Sequence, residues 1–236
     1  MSKISFDDYI KLYPDKKEEK KETEEKFHLK LKDGTRVPGA TTIVNQLDKP
    51  YLVKWANKLG KEGIDVTEYV NNSAKLGTLI HSMIESYVEN KVFIRDINDK
   101  SISDEHYSIA TQILDNNFIK WFNSHKFELI FCEKPYVSED YKFGGFVDCY
   151  CKLDGKYTII DFKTSKEITL EQIVQVSSYV RLFYENNLPV EQLLILNVKK
   201  ELNSKIEEKY LQADKIEPYW NLFKCLLDVY YAKKEI

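Results

Sequence analysis

The 236-residue chain has no apolar run near the roughly 18 residues that a membrane-spanning helix needs. Its first residues, MSKISFDDYI, lack the apolar segment of a secretory signal. Both absences suggest a cytoplasmic protein with no membrane partner, and the high Lys, Asn, Ile and Tyr content suggests an AT-rich coding genome, as of a phage or its bacterial host. Cysteine is scarce: Cys132, Cys149, Cys151 and Cys225 are the four, and their spacing matches no C-x-x-C metal pattern. Without an export signal, reduced thiols are expected. Cys149 and Cys151 stand two apart in a strand-like segment and read as small core residues. A basic excess is also missing. Lys and Arg number 35 against 38 Asp and Glu, a net charge of −3. A general polyanion-binding surface is therefore not advertised, and any nucleic-acid contact must come from a local patch or from metal ions that neutralise carboxylates.

Hydrophobic residues at 43% and charged residues at 31% describe a globular chain long enough for one domain with a sizeable core. Residues 1–26 are polar, with an almost unbroken charge run over 16–26, and read as a solvated or mobile arm. Residues 27–236 are expected to form a single domain with its core at about 74–200. Two short alternating runs around Asp33-Gly34 predict a hairpin with a type I′ turn. Helices are expected over 41–60, broken at Pro50, over 74–90, where Leu79, Ile80, Met83, Ile84, Tyr87 and Val88 recur at helical spacing, and over 104–124. From Phe127 the period changes. FELIFCEKPYV, FGGFVDCYCKL and KYTIIDFKTS are rich in β-branched and aromatic residues and predict three strands. A helix over 170–187 follows, with Thr169 and Gln172 suited to a capping box. The apolar LLILNVK then predicts a buried strand, and 216–232 a last helix. The order helix, three strands, helix, strand is an α/β pattern.

Asp154-Gly155 is a strong two-residue turn signal. With that turn, 153 pairs with 156, 152 with 157, 150 with 159, and Asp148 falls opposite Asp161. Their Cβ atoms would then lie about 4.5–5.5 Å apart on one face, with Lys163 two residues on and pointing to the same face. Like charges so placed destabilise a sheet, the more so among Val147, Ile159, Ile160 and Phe162. A divalent cation between them removes the conflict. Hard cations such as Mg²⁺ or Mn²⁺ prefer oxygen ligands, polarise phosphoryl oxygens and lower the pKa of bound water. The plainer reading is a surface cluster in which Lys163 neutralises both carboxylates. A three-residue turn would leave the aspartates only diagonal neighbours. On spacing alone both readings stand.

These residues resemble the PD-(D/E)XK nuclease superfamily, and within it the RecB-like exonuclease branch. Asp148 and Asp161-Phe162-Lys163 are similar to the D…D-x-K signature, and Gly144-Gly145-Phe146-Val147-Asp148 to the G-x-x-D strand, with Val147 where many members have proline. Gly77, His81 and Glu85 are similar to a G-x-x-x-H-x-x-x-E helix, and Gln175 and Tyr179 to a Q-x-x-x-Y helix. The resemblance covers about 74–200, and 41–55 is similar to phage-type and mitochondrial genome-maintenance exonucleases.

The resemblance implies a restriction-endonuclease-like core: a mixed sheet flanked by helices, with an N-terminal helical elaboration. It implies a metal-dependent deoxyribonuclease, an exonuclease acting on ends or single strands in recombination or repair, working with a recombination or replication partner protein. Asp148, Asp161 and Lys163 would be catalytic. His81, Asp148, Asp161 and the Phe162 carbonyl would hold Mg²⁺ or Mn²⁺, and Gln175 and Tyr179 would contact the nucleic acid or organise the lysine. Glu85 and Glu133 are accessory candidates. No iron–sulphur cluster is implied, since only Cys225 lies near the C-terminus. The plainer readings are a buried helix histidine for His81, a solvated Glu85, and sheet-edge polar groups for Gln175 and Tyr179. The rival functions are a non-catalytic nucleic-acid-binding or assembly module of the same fold, a site-specific endonuclease, and a phosphoesterase acting on small molecules.

Overall fold

In a computed structural model of the protein, residues 4–5, 29–95 and 102–236 are described. The charge run of the expected N-terminal arm lies outside the described residues. Within the arm only Ile4–Ser5 is described, as backbone paired in parallel with Ile94–Arg95.

The described helices begin with α1 (Ala40–Val44), α2 (Tyr51–Lys61) and α3 (Val66–Asn90). The break after α1 falls just before Pro50, which stands at the N-cap of α2. Helix α3 begins eight residues earlier than periodicity indicates, with Asp65 accepting from the Glu68 N–H at 2.9 Å as its cap. A fourth rod runs from α4 (Asp104–Ile113) through a π-helical turn at Leu114–Phe118 into α5 (Ile119–Asn123). Around Asp33 the expected type I′ turn is absent. Gly34 alone among the loop residues takes the left-handed conformation, and the loop closes through Leu31 and Thr35 with one bridge, Lys30 to Arg36. The Asp33 side chain accepts from the Thr35 N–H at 2.8 Å and so stabilises this wider loop.

The sheet has five strands in chain order: β1 (Phe127–Ser138), β2 (Phe143–Leu153), β3 (Lys156–Lys163), β4 (Gln192–Asn197) and β5 (Glu207–Gln212). The first three are antiparallel. Helix α6 (Leu170–Glu185) carries the chain across so that β4 runs parallel to β3, and β5 returns antiparallel at the edge. Helix α7 (Glu217–Ala232) closes the chain. The expected core order of helix, three strands, helix and strand is therefore present, in a restriction-endonuclease-like α/β arrangement. β5 was not expected. Its sequence, EEKYLQ, is charged and mostly exposed, as suits an edge.

Helices cover both faces of the sheet. One face packs α1, α6 and α7 against Ile159, Leu193 and Ile195. The other packs α3, α4 and α5 against Cys149, Cys151, Ile160, Phe162, Leu194 and Leu196. The alternation along β4 shows why its centre, Leu193–Leu196, is apolar at every position: successive side chains enter different cores. All four cysteines are free, with Cys149 and Cys151 buried.

Candidate active site

The turn at Asp154-Gly155 has both residues at positive φ (50° and 86°), as a type I′ turn requires. The register follows: Leu153 pairs with Lys156, Lys152 with Tyr157 and Tyr150 with Ile159. The ladder stops at Cys149 and Ile160, one step short of Asp148 and Asp161. Here the Phe162 N–H donates to Asp148 Oδ2 at 2.8 Å instead of to a strand carbonyl. Two carboxylates directly across a ladder repel, and the strands part where they meet.

The ladder is interrupted at Asp148 on its other side as well. Cys132 pairs with Cys149 and Lys134 with Val147, which brackets Glu133 opposite Asp148 although that pair itself is not formed. A one-residue shift between Leu129 and Phe131 sets this register. Without it Cys132 would occupy the row. Glu133 takes a left-handed φ of 43°, rare for a residue with a side chain. Bulges and such backbone outliers concentrate at functional sites. Glu133, Asp148 and Asp161 thus stand in one row across three strands.

Asp161 is 1% exposed, and its Oδ2 lies 2.6 Å from Lys163 Nζ. Despite this ion pair, neither Asp161 oxygen accepts a hydrogen bond of good geometry. Burial pushes its pKa up to about 6, against the lowering effect of Lys163, and the Asp148 charge raises it further. Burial also raises Asp148, opposed by Lys163 and the Phe162 N–H. For Lys163, burial disfavours the charged form, but the two aspartates outweigh it and hold the ammonium above its usual value. His81, on α3, is pushed down to about 4 by burial first and by Lys163 second, so it is neutral at pH 7.

Gln175 and Tyr179 are 9% and 2% exposed. Gln175 Nε2 donates to Tyr179 Oη at 2.8 Å and to Thr41 Oγ1 at 3.1 Å. The Tyr179 ring lies against Gly145, where a Cβ would stand 2.5 Å from Cε1. Both aspartates raise the Tyr179 pKa after burial, so the hydroxyl lies within their field. The pair thus sits behind the carboxylates, packed and hydrogen-bonded, and ties α6 to α1. Glu85, part-buried on α3, and Glu133, exposed on β1, both have interaction partners.

Among the described residues, no three His, Cys, Asp or Glu side chains converge to hold a metal ion. The groups able to accept a hard cation are the Asp161 and Asp148 oxygens and the neutral His81 imidazole, with Lys163 now standing against Asp161. Residues that sequence reasoning missed are Thr41, which anchors Gln175, and Thr164 and Lys200, which approach α3 at Gly77. Thr164 adjoins the D-x-K triplet, so proximity could have suggested it. Lys200 carried no such signal.

No family model matches the chain, and no curated protein matches it. Among solved structures, an exonuclease candidate from Eubacterium rectale aligns over 64% of this chain and 64% of its own length, at 12% identity and a TM-score of 0.46. The present chain thus spans less than two thirds of that structure. The crystal structure of SSO0001 aligns over 88% of this chain and 83% of its own, at 18% identity and a TM-score of 0.39. These similarities do not identify an activity, and the fold assignment stands on the element order and register above. No helix among the described residues is long and apolar enough to cross a membrane.

Proposed function

We propose that this protein is a metal-dependent nuclease that hydrolyses DNA phosphodiester bonds, as an exonuclease acting on ends or single strands. The observation that carries the proposal is Asp161: a buried carboxylate with no well-formed hydrogen bond, beside Asp148 and a raised-pKa lysine, where the strand ladder has parted. Buried charges are retained when they are paired or coordinate metals, and one lysine shared between two aspartates leaves excess negative charge.

The donor chemistry fits Mg²⁺ or Mn²⁺. Asp148, Asp161 and the Phe162 carbonyl offer hard oxygen atoms, and His81 is neutral, as a ligand must be. A bound divalent cation would supply charge neutralisation at the phosphate and activation of the attacking water. The chain's own residues do the rest. Lys163, released from Asp161, orients the nucleophile and offsets phosphate charge. The Phe162 N–H holds the Asp148 carboxylate in one orientation. Gln175 and Tyr179 fix α6 behind the site, and their sealed packing supports a positioning role rather than direct contact with DNA.

Linear and closed circular DNA, single- and double-stranded, incubated with Mn²⁺, Mg²⁺ or EDTA, test the reading. Metal-dependent loss of linear DNA with intact circles is expected. Cleavage of circles would replace the exonuclease with an endonuclease. No cleavage of any form by folded protein would leave the non-catalytic binding module.

A further inference from the structure

Helix α2 reads YLVKWANKLGK, and of these residues only Leu59 is buried. Tyr51 and Leu52 are 54% and 43% exposed. A helix this short is marginal alone in water and is ordinarily held by an apolar face packed on a neighbour. Here the aromatic packing is a single contact: the Trp55 ring meets Tyr69 of α3 edge to face, with centroids 6.0 Å apart. Tyr69 is itself 49% exposed. Tyr51 and Trp55, four residues apart, share one face of α2 with Leu52 at its margin. The result is an exposed aromatic patch on two adjoining helices, and such patches mark interaction sites.

Charge indicates the kind of partner. From 49 to 61 the chain carries Lys49, Lys54, Lys58 and Lys61 and no acidic residue, within a protein of net charge −3. Lys54, Lys58 and Lys61 follow each other at four- and three-residue spacing, a stripe beside the Tyr51 and Trp55 face. Lys58 stands 3.9 Å from Glu62, an exposed pair of little strength. Asp65 and Glu68 come only at the start of α3, where Asp65 accepts from the Glu68 N–H. Helix α2 is thus a local basic patch with aromatic rings beside it, which suits a single-stranded polyanion with exposed bases.

Helix α3 connects this patch to the site. Tyr69 stands at the same four-residue spacing as Ser73, Gly77 and His81, and the helix is unbroken between them. From 69 to 81, at about 1.5 Å per residue, the axial distance is roughly 18 Å. That is the span of roughly five nucleotides at about 3.4 Å each.

We infer that Tyr51, Trp55 and Tyr69, with the lysines of α2, form a stacking platform for bases of a single strand whose backbone enters the Asp148–Asp161 site. An aromatic ring takes any base by its π-face, and the flanking lysines neutralise the backbone. A duplex keeps those faces stacked within itself, so the platform favours single strands. The inference rests on the nuclease reading and narrows its substrate to single-stranded DNA.

Trp55 supplies the probe, because the other two tryptophans, Trp121 and Trp220, are buried. Tryptophan emission of the full chain is followed in EDTA during titration with a thymidine oligonucleotide, a blunt GC-rich duplex, and heparin, a polyanion without bases. The single strand is expected to quench the emission, and the duplex and heparin to leave it nearly unchanged. In parallel, anisotropy of the labelled oligonucleotide should show Trp55→Ala and Trp55→Leu binding roughly ten-fold more weakly, the size of one lost base stack. Trp55→Phe should keep most of the affinity while the quenching disappears. The wild-type quenching does not depend on the folding of any variant. Absence of quenching by the single strand, equal quenching by duplex or heparin, or wild-type affinity in Trp55→Ala would overturn the platform. A last arm uses vesicles of phosphatidylserine and phosphatidylcholine: emission that shifts on vesicles but not on DNA would assign the helix to a membrane surface and also overturn it. In all these cases metal-dependent cleavage by the wild type would leave the nuclease standing. Failure of the wild type both to bind and to cut DNA would instead remove the reading on which the platform rests.

Discussion

Asp161 bears the largest electrostatic conflict in the site. It is 1% exposed, and its pKa of about 6 lies above the ordinary carboxylate value of 3.8. A carboxyl raised in the folded state binds protons more tightly there than in the unfolded chain. Its contribution to stability is fully present below pH 4 and is lost as pH rises through 6. The rise from 3.8 to about 6 corresponds to on the order of 2–3 kcal/mol. In EDTA, Asp161→Asn should therefore gain in melting temperature over the wild type as pH rises from 4 to 7. A difference independent of pH would show that the carboxylate is not under strain. Added Mn²⁺ should raise the wild-type melting temperature and leave the Asn variant nearly unmoved.

The elements place this conflict, and two of their junctions are testable. Tyr179 packs so closely on Gly145 that a methyl group there would overlap its ring. Gly145→Ala should cost about 1–3 kcal/mol by overpacking and displace the strand that carries Asp148, lowering stability and nuclease activity together. Wild-type melting and activity would contradict the close contact. At the start of α6, Gln172 Oε1 accepts from the Thr169 N–H at 3.0 Å, and its Nε2 reaches Ser165 Oγ at 3.1 Å. Gln172→Ala should cost about 1 kcal/mol, as lost caps do, read by denaturant titration. No change in midpoint would remove the capping box as a stabiliser.

At this scale the sequence was legible where local chemistry decides. Asp154-Gly155 demanded a tight turn and therefore the register that brings Asp148 toward Asp161. Thr169 and Gln172 marked a helix start. The rest needed partners distant in sequence. Residues 66–73 of α3 are largely exposed, and Val66, Tyr69 and Val70 keep helical spacing over too short a stretch to mark where the helix starts. β5 is a charged edge defined by pairing with β4. The register shift near Ile130 exists only in the β1–β2 pair, so the row shared by Glu133 and Asp148 could not be read from either strand. The parting of the ladder at the aspartates follows from their mutual repulsion, which an ideal hairpin count ignores. Gln175 and Tyr179 fall on one helix face by spacing, but their burial depends on Gly145 and Thr41.

Across the whole molecule, a chain of net charge −3 has no electrostatic surplus with which to attract a polyanion. The proposed function is therefore concentrated in one place, where helices on both faces of a five-stranded sheet enclose two aspartates, a lysine and a neutral histidine. DNA cleavage should depend on added divalent metal and on these few groups. The most direct test compares wild-type protein with Lys163→Ala on end-labelled linear DNA in Mn²⁺, with both proteins shown to be folded by their melting curves. Metal-dependent degradation by the wild type and a loss of at least about a hundred-fold in the variant are predicted, within the range typical of removing a positioned donor that stabilises developing charge. Equal degradation by the two proteins would contradict the proposed function.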